Sequence, residues 1–396
     1  MSKLPSYMSR RTLRQGLRSD LGFLPVLATL IIIVVYFAIT TGGIFLSPRN
    51  FSELVQEIAT IGLLSLGSTF VLLIGEIDLS LASVSTLCSV VMAVLSERAG
   101  LPAWVAIAAA LLTGALVGFV DGIFVAVVRV PSFIVTLAGS IAYAGLLLTL
   151  LAGQSTLIIR NDFILSIAGT PTSFLTDTLG IGLPTLALLV YLGAVILNYV
   201  RRKGAGLSIV PLAQLVLQLV LAVALVEGAV VLFESYFGIP NSTAILFALI
   251  LLFWLILTKT RFGRHVYAVG GNAEAARRAG INVVAIRIVL FTLCSLLAAI
   301  GGVVAASRAN AVASQINPTL LLDAIAAAVI GGVSLFGGRG SVWSIVLGVL
   351  IIGSLENGLT LKSQPVNVKE MIEGAVLVIA VTVDAILRRL QVRSGR

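Results

Sequence analysis

Charge is scarce in this sequence. Only 11% of its 396 residues are Asp, Glu, Lys or Arg, against about 25% in an average soluble domain. So few charges cannot clothe a water-soluble surface, which excludes an ordinary soluble enzyme or binding domain. Histidine is nearly absent: His265 is the one copy, in a basic loop, and it reads as a solvated loop residue. Cys88 and Cys294 both lie in apolar runs, so there is no disulfide framework, and no Cys/His spacing suggests zinc. No Gly-Lys dipeptide occurs anywhere, which excludes a Walker A phosphate loop.

What the sequence has instead is apolar residues, 59% of the total, with a mean hydropathy of +1.12. The chain is therefore read as an all-α, polytopic transmembrane helix bundle. At about 20 residues per span it allows ten to twelve membrane segments. Hydropathy places these at 21–40, 58–75, 79–96, 104–128, 132–152, 181–200, 209–233, 241–258, 284–306, 321–336, 341–356 and 370–387. Lys3, Arg10, Arg11, Arg14 and Arg18 precede the first run, as in a signal peptide. The run is long enough to span, however, and Thr40-Thr41-Gly42-Gly43 is a poor cleavage site, so a retained first helix is expected.

The net charge of +9 does not point to nucleic acid, because the basic residues sit between apolar runs and on no single amphipathic face. They read as topology signals. With the N-terminus in the cytoplasm, twenty Lys and Arg fall inside and six outside: Arg49, Arg98, Arg160, Arg308, Lys362 and Lys369. That bias predicts cytoplasmic termini, with basic tails at 1–20 and 388–396 flanking a membrane domain at 21–387.

Two interruptions break the apolar pattern. In Gly75-Glu76-Ile77-Asp78-Leu79-Ser80, two carboxylates flank one isoleucine. A charge at bilayer depth costs about 2.5–3.5 kcal/mol on insertion scales, so one reading is the lining of a polar path. The other is a tight turn at the membrane surface. The second interruption, 331–341, carries Gly331, Gly332, Gly337, Gly338 and Gly340. Each is either a re-entrant excursion or a turn between two full spans. They resemble each other, and Gly118-Phe119-Val120-Asp121-Gly122 finds an echo in Leu355-Glu356-Asn357-Gly358, which suggests a weak internal repeat of the kind that brackets transport pathways. Gly114, Gly118 and Gly122 recur at a spacing that lets helices pack closely.

The basic loop at 259–287 contains a short helix of its own. Asn272 is placed to cap it, Glu274 suits its first turn, and Gly280 can end it. A docking element for a cytoplasmic partner fits this pattern, as does an interfacial helix on lipid headgroups.

The stretch from Gly271 to Val283 resembles the coupling loop of ribose/xylose-type sugar ABC transporter permeases, which are related to branched-chain amino-acid permeases. Glu76-Ile77-Asp78-Leu79-Ser80, Val130-Pro131-Ser132-Phe133-Ile134-Val135-Thr136-Leu137-Ala138-Gly139 and the 329–341 segment are similar to three further family signatures. The extra segments at about 160–235 resemble the D-xylose type, while Glu76 departs from the glycine common in ribose-type members. The resemblance implies a bacterial inner-membrane permease that works as a pair of identical copies surrounded by lipid. A cytoplasmic ATPase subunit would bind ATP and Mg, and a periplasmic or extracellular sugar-binding protein would deliver the solute. This chain would bind no cofactor and no nucleic acid. Asn272, Glu274, Ala275, Ala276, Arg277 and Gly280 would then couple to the ATPase. Glu76, Asp78, Ser80, Asp121 and Asn357 would meet sugar hydroxyls, with Asp121 and Asn357 equally suited to helix–helix hydrogen bonds. The alternatives are a branched-chain amino-acid permease and an ion-coupled secondary sugar transporter using Asp78 or Glu227.

Overall fold

The computed structural model describes residues 24–169 and 173–393. The basic segment 1–20, the start of the first expected span at 21–23 and the final residues 394–396 lie outside them. Helices follow one another as α1 (Leu24–Thr40), α2 (Pro48–Leu73), α3 (Leu81–Ala93), α4 (Ala103–Ile123), α5 (Ser132–Leu151) and the one-turn α6 (Asp162–Leu165). Then come α7 (Asp177–Gly204), α8 (Leu212–Glu234), α9 (Asn241–Lys259), α10 (Arg261–Gly271) and α11 (Ala273–Arg278). The chain closes with α12 (Val283–Ala309), α13 (Pro318–Ile330), α14 (Ser344–Leu361) and α15 (Val366–Arg393). Widened π-turns extend α3 through Val94–Arg98 and α4 through Phe124–Val128. The strands among the described residues are the short antiparallel pair β1 (Thr156–Ile158) and β2 (Ala311–Ala313).

All twelve apolar runs form helices, and nine helices among the described residues are long and apolar enough to cross a membrane. The first, tenth and twelfth runs give the helices that fall outside those nine. The expected 321–336 span is a 13-residue helix, α13, because Gly331 and Gly332 stop it. The last run is 28 residues but carries charge along its length, and α1 has 17 described residues.

The bundle is built around α2 and α12. Ser47 caps α2, its hydroxyl accepting from the Asn50 N–H at 3.3 Å, and Pro48 occupies the first turn where no N–H is needed. Asn282 caps α12 in the same way, accepting from the Ala285 N–H at 3.0 Å. Nearly all of α2 is buried, and α12 packs along α2, α3 and α4. The glycine stripe makes the α4 contact: a Cβ at Gly118 would run into the Phe291 carbonyl, and one at Gly122 would lie 2.8 Å from the Ile288 Cα. By contrast, α7 and α8 pack chiefly on each other at the periphery, tied to α2 by the Phe51–Phe233 ring contact at 5.1 Å.

Successive helices alternate in direction, so the connections sort to two ends. At one end lie 74–80, the α4–α5 turn, α10, α11 and 331–343; this is termed the loop end. At the far end the Arg98 guanidinium donates to the Leu150 and Leu151 carbonyls, both at 2.8 Å, β1 pairs with β2, and the Lys362 ammonium reaches the Tyr36 hydroxyl at 3.2 Å. The described chain thus starts and finishes at the loop end. The two interruptions are turns between helices, each reaching that end.

Candidate functional site

The loop end is assembled from glycines and caps. Thr260 caps α10, a helix inside the stretch whose hydropathy is that of a loop; its apolar side, Val266 and Val269, is buried against the bundle while His265 is exposed. Asn272 ends α10 and caps α11, its side-chain oxygen accepting from the Ala275 N–H at 2.9 Å. Glu274 bridges Arg277 at 3.2 Å and Arg278 at 3.3 Å, all three exposed. Ala276 is buried and seats the helix, whereas Ala275 faces out. Gly280 reverses the chain at φ +84°. The expected helix of about two turns is therefore present as six residues, Ala273–Arg278.

This loop is fastened to both interruptions. The Gly338 N–H donates to the Leu73 carbonyl at 2.8 Å, and a Cβ on Gly270 would strike that same carbonyl. The Tyr267 hydroxyl donates to the Gly340 carbonyl at 2.9 Å, and burial pushes its phenol above the ordinary value, which keeps it a donor. Gly75, at φ +75°, lies against the Phe336 carbonyl, where a Cβ would sit 3.2 Å away. Backbones this close require glycine. These contacts join α10 to the end of α2 and to the 331–343 turn between α13 and α14. Glu76 belongs to this rim, where its carboxylate pairs with the Arg287 guanidinium at 3.0 Å.

Asp78 and Ser80 lie deeper. The Asp78 Oδ1 accepts from the Ser80 N–H at 2.8 Å and the Ser80 hydroxyl at 2.6 Å. The Thr136 hydroxyl accepts from the Leu79 N–H at 3.0 Å, and Ser132 from the Ile77 N–H at 3.3 Å, stapling the segment to the first turn of α5. Asp121, on α4, accepts from the Tyr143 hydroxyl at 2.8 Å. Asp78 and Asp121 are each 3% exposed, and the second oxygen of each has no partner among the described residues. Together they place unsatisfied acceptors inside the bundle, the chemistry a hydroxyl-rich solute needs. Tyr143→Phe would strip Asp121 of its donor. A loss of about 1–3 kcal/mol is expected, read as a lower thermal unfolding midpoint in detergent; an unchanged midpoint would mean that Asp121 does not depend on this bond.

Asn357 is not with them. It lies near the far end, where its side-chain oxygen accepts from the Asn50 amide at 2.9 Å, a bond between α14 and the start of α2. Glu57, Glu356, Asp323 and Glu373 also gather towards that end, with Arg308 3.8 Å from Glu57. Glu57, Asp323 and Glu373 were missed in the sequence, although a carboxylate inside or beside an apolar run was signal enough. Glu227 sits in the peripheral pair, within 3.2 Å of the Thr185 hydroxyl.

A helix bundle with buried polar acceptors and a capped helix fastened to its broken turns is an arrangement suited to a membrane transport subunit. The chain belongs to the branched-chain amino acid transport system / permease component family, whose model matches residues 50–381. It is similar to the xylose transport system permease protein XylH of Escherichia coli K12, 37% identical over 94% of both chains. XylH of Haemophilus influenzae is also 37% identical, over 91% of this chain and 95% of its own. The ribose import permease protein RbsC of E. coli K12 is 31% identical over 90% of this chain and 92% of its own. No solved structure matches.

Proposed function

We propose that this chain is the membrane-spanning permease subunit of an ATP-binding-cassette importer that carries a monosaccharide, D-xylose or a related pentose, across the bacterial inner membrane. The carrying observation is the capped helix Ala273–Arg278, joined through Gly270 to the Leu73 carbonyl and to Gly338. A cytoplasmic ATPase subunit that binds ATP and Mg docks on its exposed side, formed by Asn272, Glu274, Ala275 and Arg277. The loop end faces the cytoplasm in this reading, which the charge bias supports. Closure of the ATPases moves α11, and the glycine contacts carry that motion into both helix pairs. A binding protein delivers the sugar to the far end, and two copies of the permease enclose the path. Asp78, Ser80 and Asp121 supply hydrogen-bond acceptors along it, Glu76 stands at its cytoplasmic rim, and Asn357 stands near its outer end. The names of the 37%-identical relatives favour xylose over the amino acids in the family's name.

The test is uptake of labelled D-xylose, D-ribose and leucine in a host lacking other routes. The chain is produced with and without a sugar-importer ATPase and binding protein from the same source. Pentose uptake that needs both partners, with no ATP hydrolysis by the purified chain alone, is expected. Uptake of leucine in place of sugar would move the assignment to the amino-acid branch, and partner-free uptake driven by an ion gradient would discard it.

A further inference from the structure

A cleft of about 280 Å³ opens at the loop end between the turn closing α4, the first residues of α12 and the α11 helix. Three guanidiniums line it, from Arg129, Arg277 and Arg287, against the single carboxylate of Glu76. Two are engaged in part: Arg277 pairs with Glu274, and the Nη2 of Arg287 pairs with Glu76 at 3.0 Å. The Nε of Arg287 is buried and has no hydrogen-bond partner among the described residues. Such a group is costly to leave unmade, while the Arg287 side chain as a whole stays 26% exposed at the cleft. Arg129 is held at φ +66°, in the left-handed region that arginine rarely occupies, and its exposed side chain has no polar partner among the described residues. The site carries more positive than negative charge and offers N–H donors to an oxyanion, the geometry that suits a phosphate group.

The surroundings decide which phosphate. Val127 and Val128 precede Arg129 and are each 57% exposed, and Phe133, at the start of α5, is 52% exposed. Val284, on the cleft wall, is 38% exposed. A free phosphate would use the arginines alone, whereas an amphiphile would use the arginines and the apolar flank together. Basic pockets between spans at the cytoplasmic side are suited to anionic headgroups. We propose that this cleft holds the phosphodiester headgroup of an anionic phospholipid, with the Arg129 and Arg287 guanidiniums donating to its oxygens and the acyl chains lying on Val127, Val128 and Phe133. Arg277 carries the contact to the base of α11, so an occupied cleft braces that helix against α12. The assignment does not depend on which solute crosses the bundle.

The full-length chain in detergent is titrated with phosphatidylglycerol, or with phosphatidylcholine of the same acyl chains, and bound lipid is counted by native mass spectrometry. Phosphatidylglycerol should bind at least about tenfold more tightly, and Arg129→Gln should remove most of that advantage. Glu76→Gln should tighten phosphatidylglycerol severalfold, because it removes the competing anion and frees Arg287; a misfolded variant would not gain affinity. Equal binding of the two lipids, or no change in both variants, would overturn the site. Displacement of phosphatidylglycerol by millimolar inorganic phosphate, with phosphate binding in the absence of lipid, would overturn the lipid as occupant and leave a free-anion site.

Discussion

Replacing Glu274 by Lys together with Gly280 by Pro is expected to abolish ATPase association and sugar uptake while the bundle stays folded. Gly280 sits at φ +84°, and proline is locked near −65°, so the chain cannot reverse where it now does. The Gly280 N–H also donates to the Arg277 carbonyl at 3.0 Å, and proline has no N–H to give. Proline further disfavours the helical conformation of Ala279 before it. At the other end of the helix, Glu274→Lys reverses a charge that favours the N-terminus by about 0.3–1 kcal/mol in exposed settings. It also turns two salt bridges with Arg277 and Arg278 into repulsions. None of these contacts is in the bundle interior, and a Cβ at Gly280 would meet nothing within 4 Å. Co-purification of the ATPase with the double variant, beside cellular uptake, reads the effect. Gly280→Ala keeps the N–H and costs only about 1–2 kcal/mol of left-handed strain, so its defect should be partial. Normal uptake by the double variant would mean that α11 is not where the ATPase acts.

Gly118→Leu should be strongly destabilising. The added side chain points at the Phe291 carbonyl and at Ser295, and backbone cannot swing aside as a long side chain would. Overpacking typically costs about 1–3 kcal/mol, and this site should lie at or above the upper limit because α4 and α12 must separate along a shared stripe. The matched control is Gly145→Leu on α5, where a new Cβ meets nothing within 4 Å. Thermal unfolding in detergent should show a lowered midpoint for Gly118→Leu and little change for Gly145→Leu. Similar midpoints for both would mean that the α4–α12 contact is not held by glycine packing.

Part of the loop end and of the helix packing was legible along the chain because its signals are local. The Asn272 cap, the Gly280 reversal and the close-packing glycines of α4 each act within one turn of helix or at a fixed spacing. The helix α10 was less legible: Arg261, Gly263, Arg264 and His265 dilute its apolar face, and only Val266 and Val269 mark the side that packs. Glu76 and Asp78 are two residues apart and read as one pair. An extended chain advances about 3.3 Å per residue, which is enough to put Glu76 at the rim beside Arg287 and Asp78 among Ser80 and Thr136.

The sequence by itself determined that this protein is a bundle of apolar helices, where the long spans lie and which residues break the pattern. It could do so because a chain in lipid must satisfy its backbone within each helix, which makes every span a local statement of composition. It left open whether the interruptions are re-entrant, and it placed Asn357 in one set with Asp78 and Asp121. Those questions turn on contacts between residues far apart in the chain. The Gly338 N–H on the Leu73 carbonyl and the Asn50 amide on Asn357 join segments about 265 and 307 positions apart. No spacing rule reaches that far, because such pairings are fixed only when all the helices pack at once. The tertiary structure therefore decided that both interruptions end beneath α10 and α11 and that Asp78 and Asp121 stand apart from Asn357.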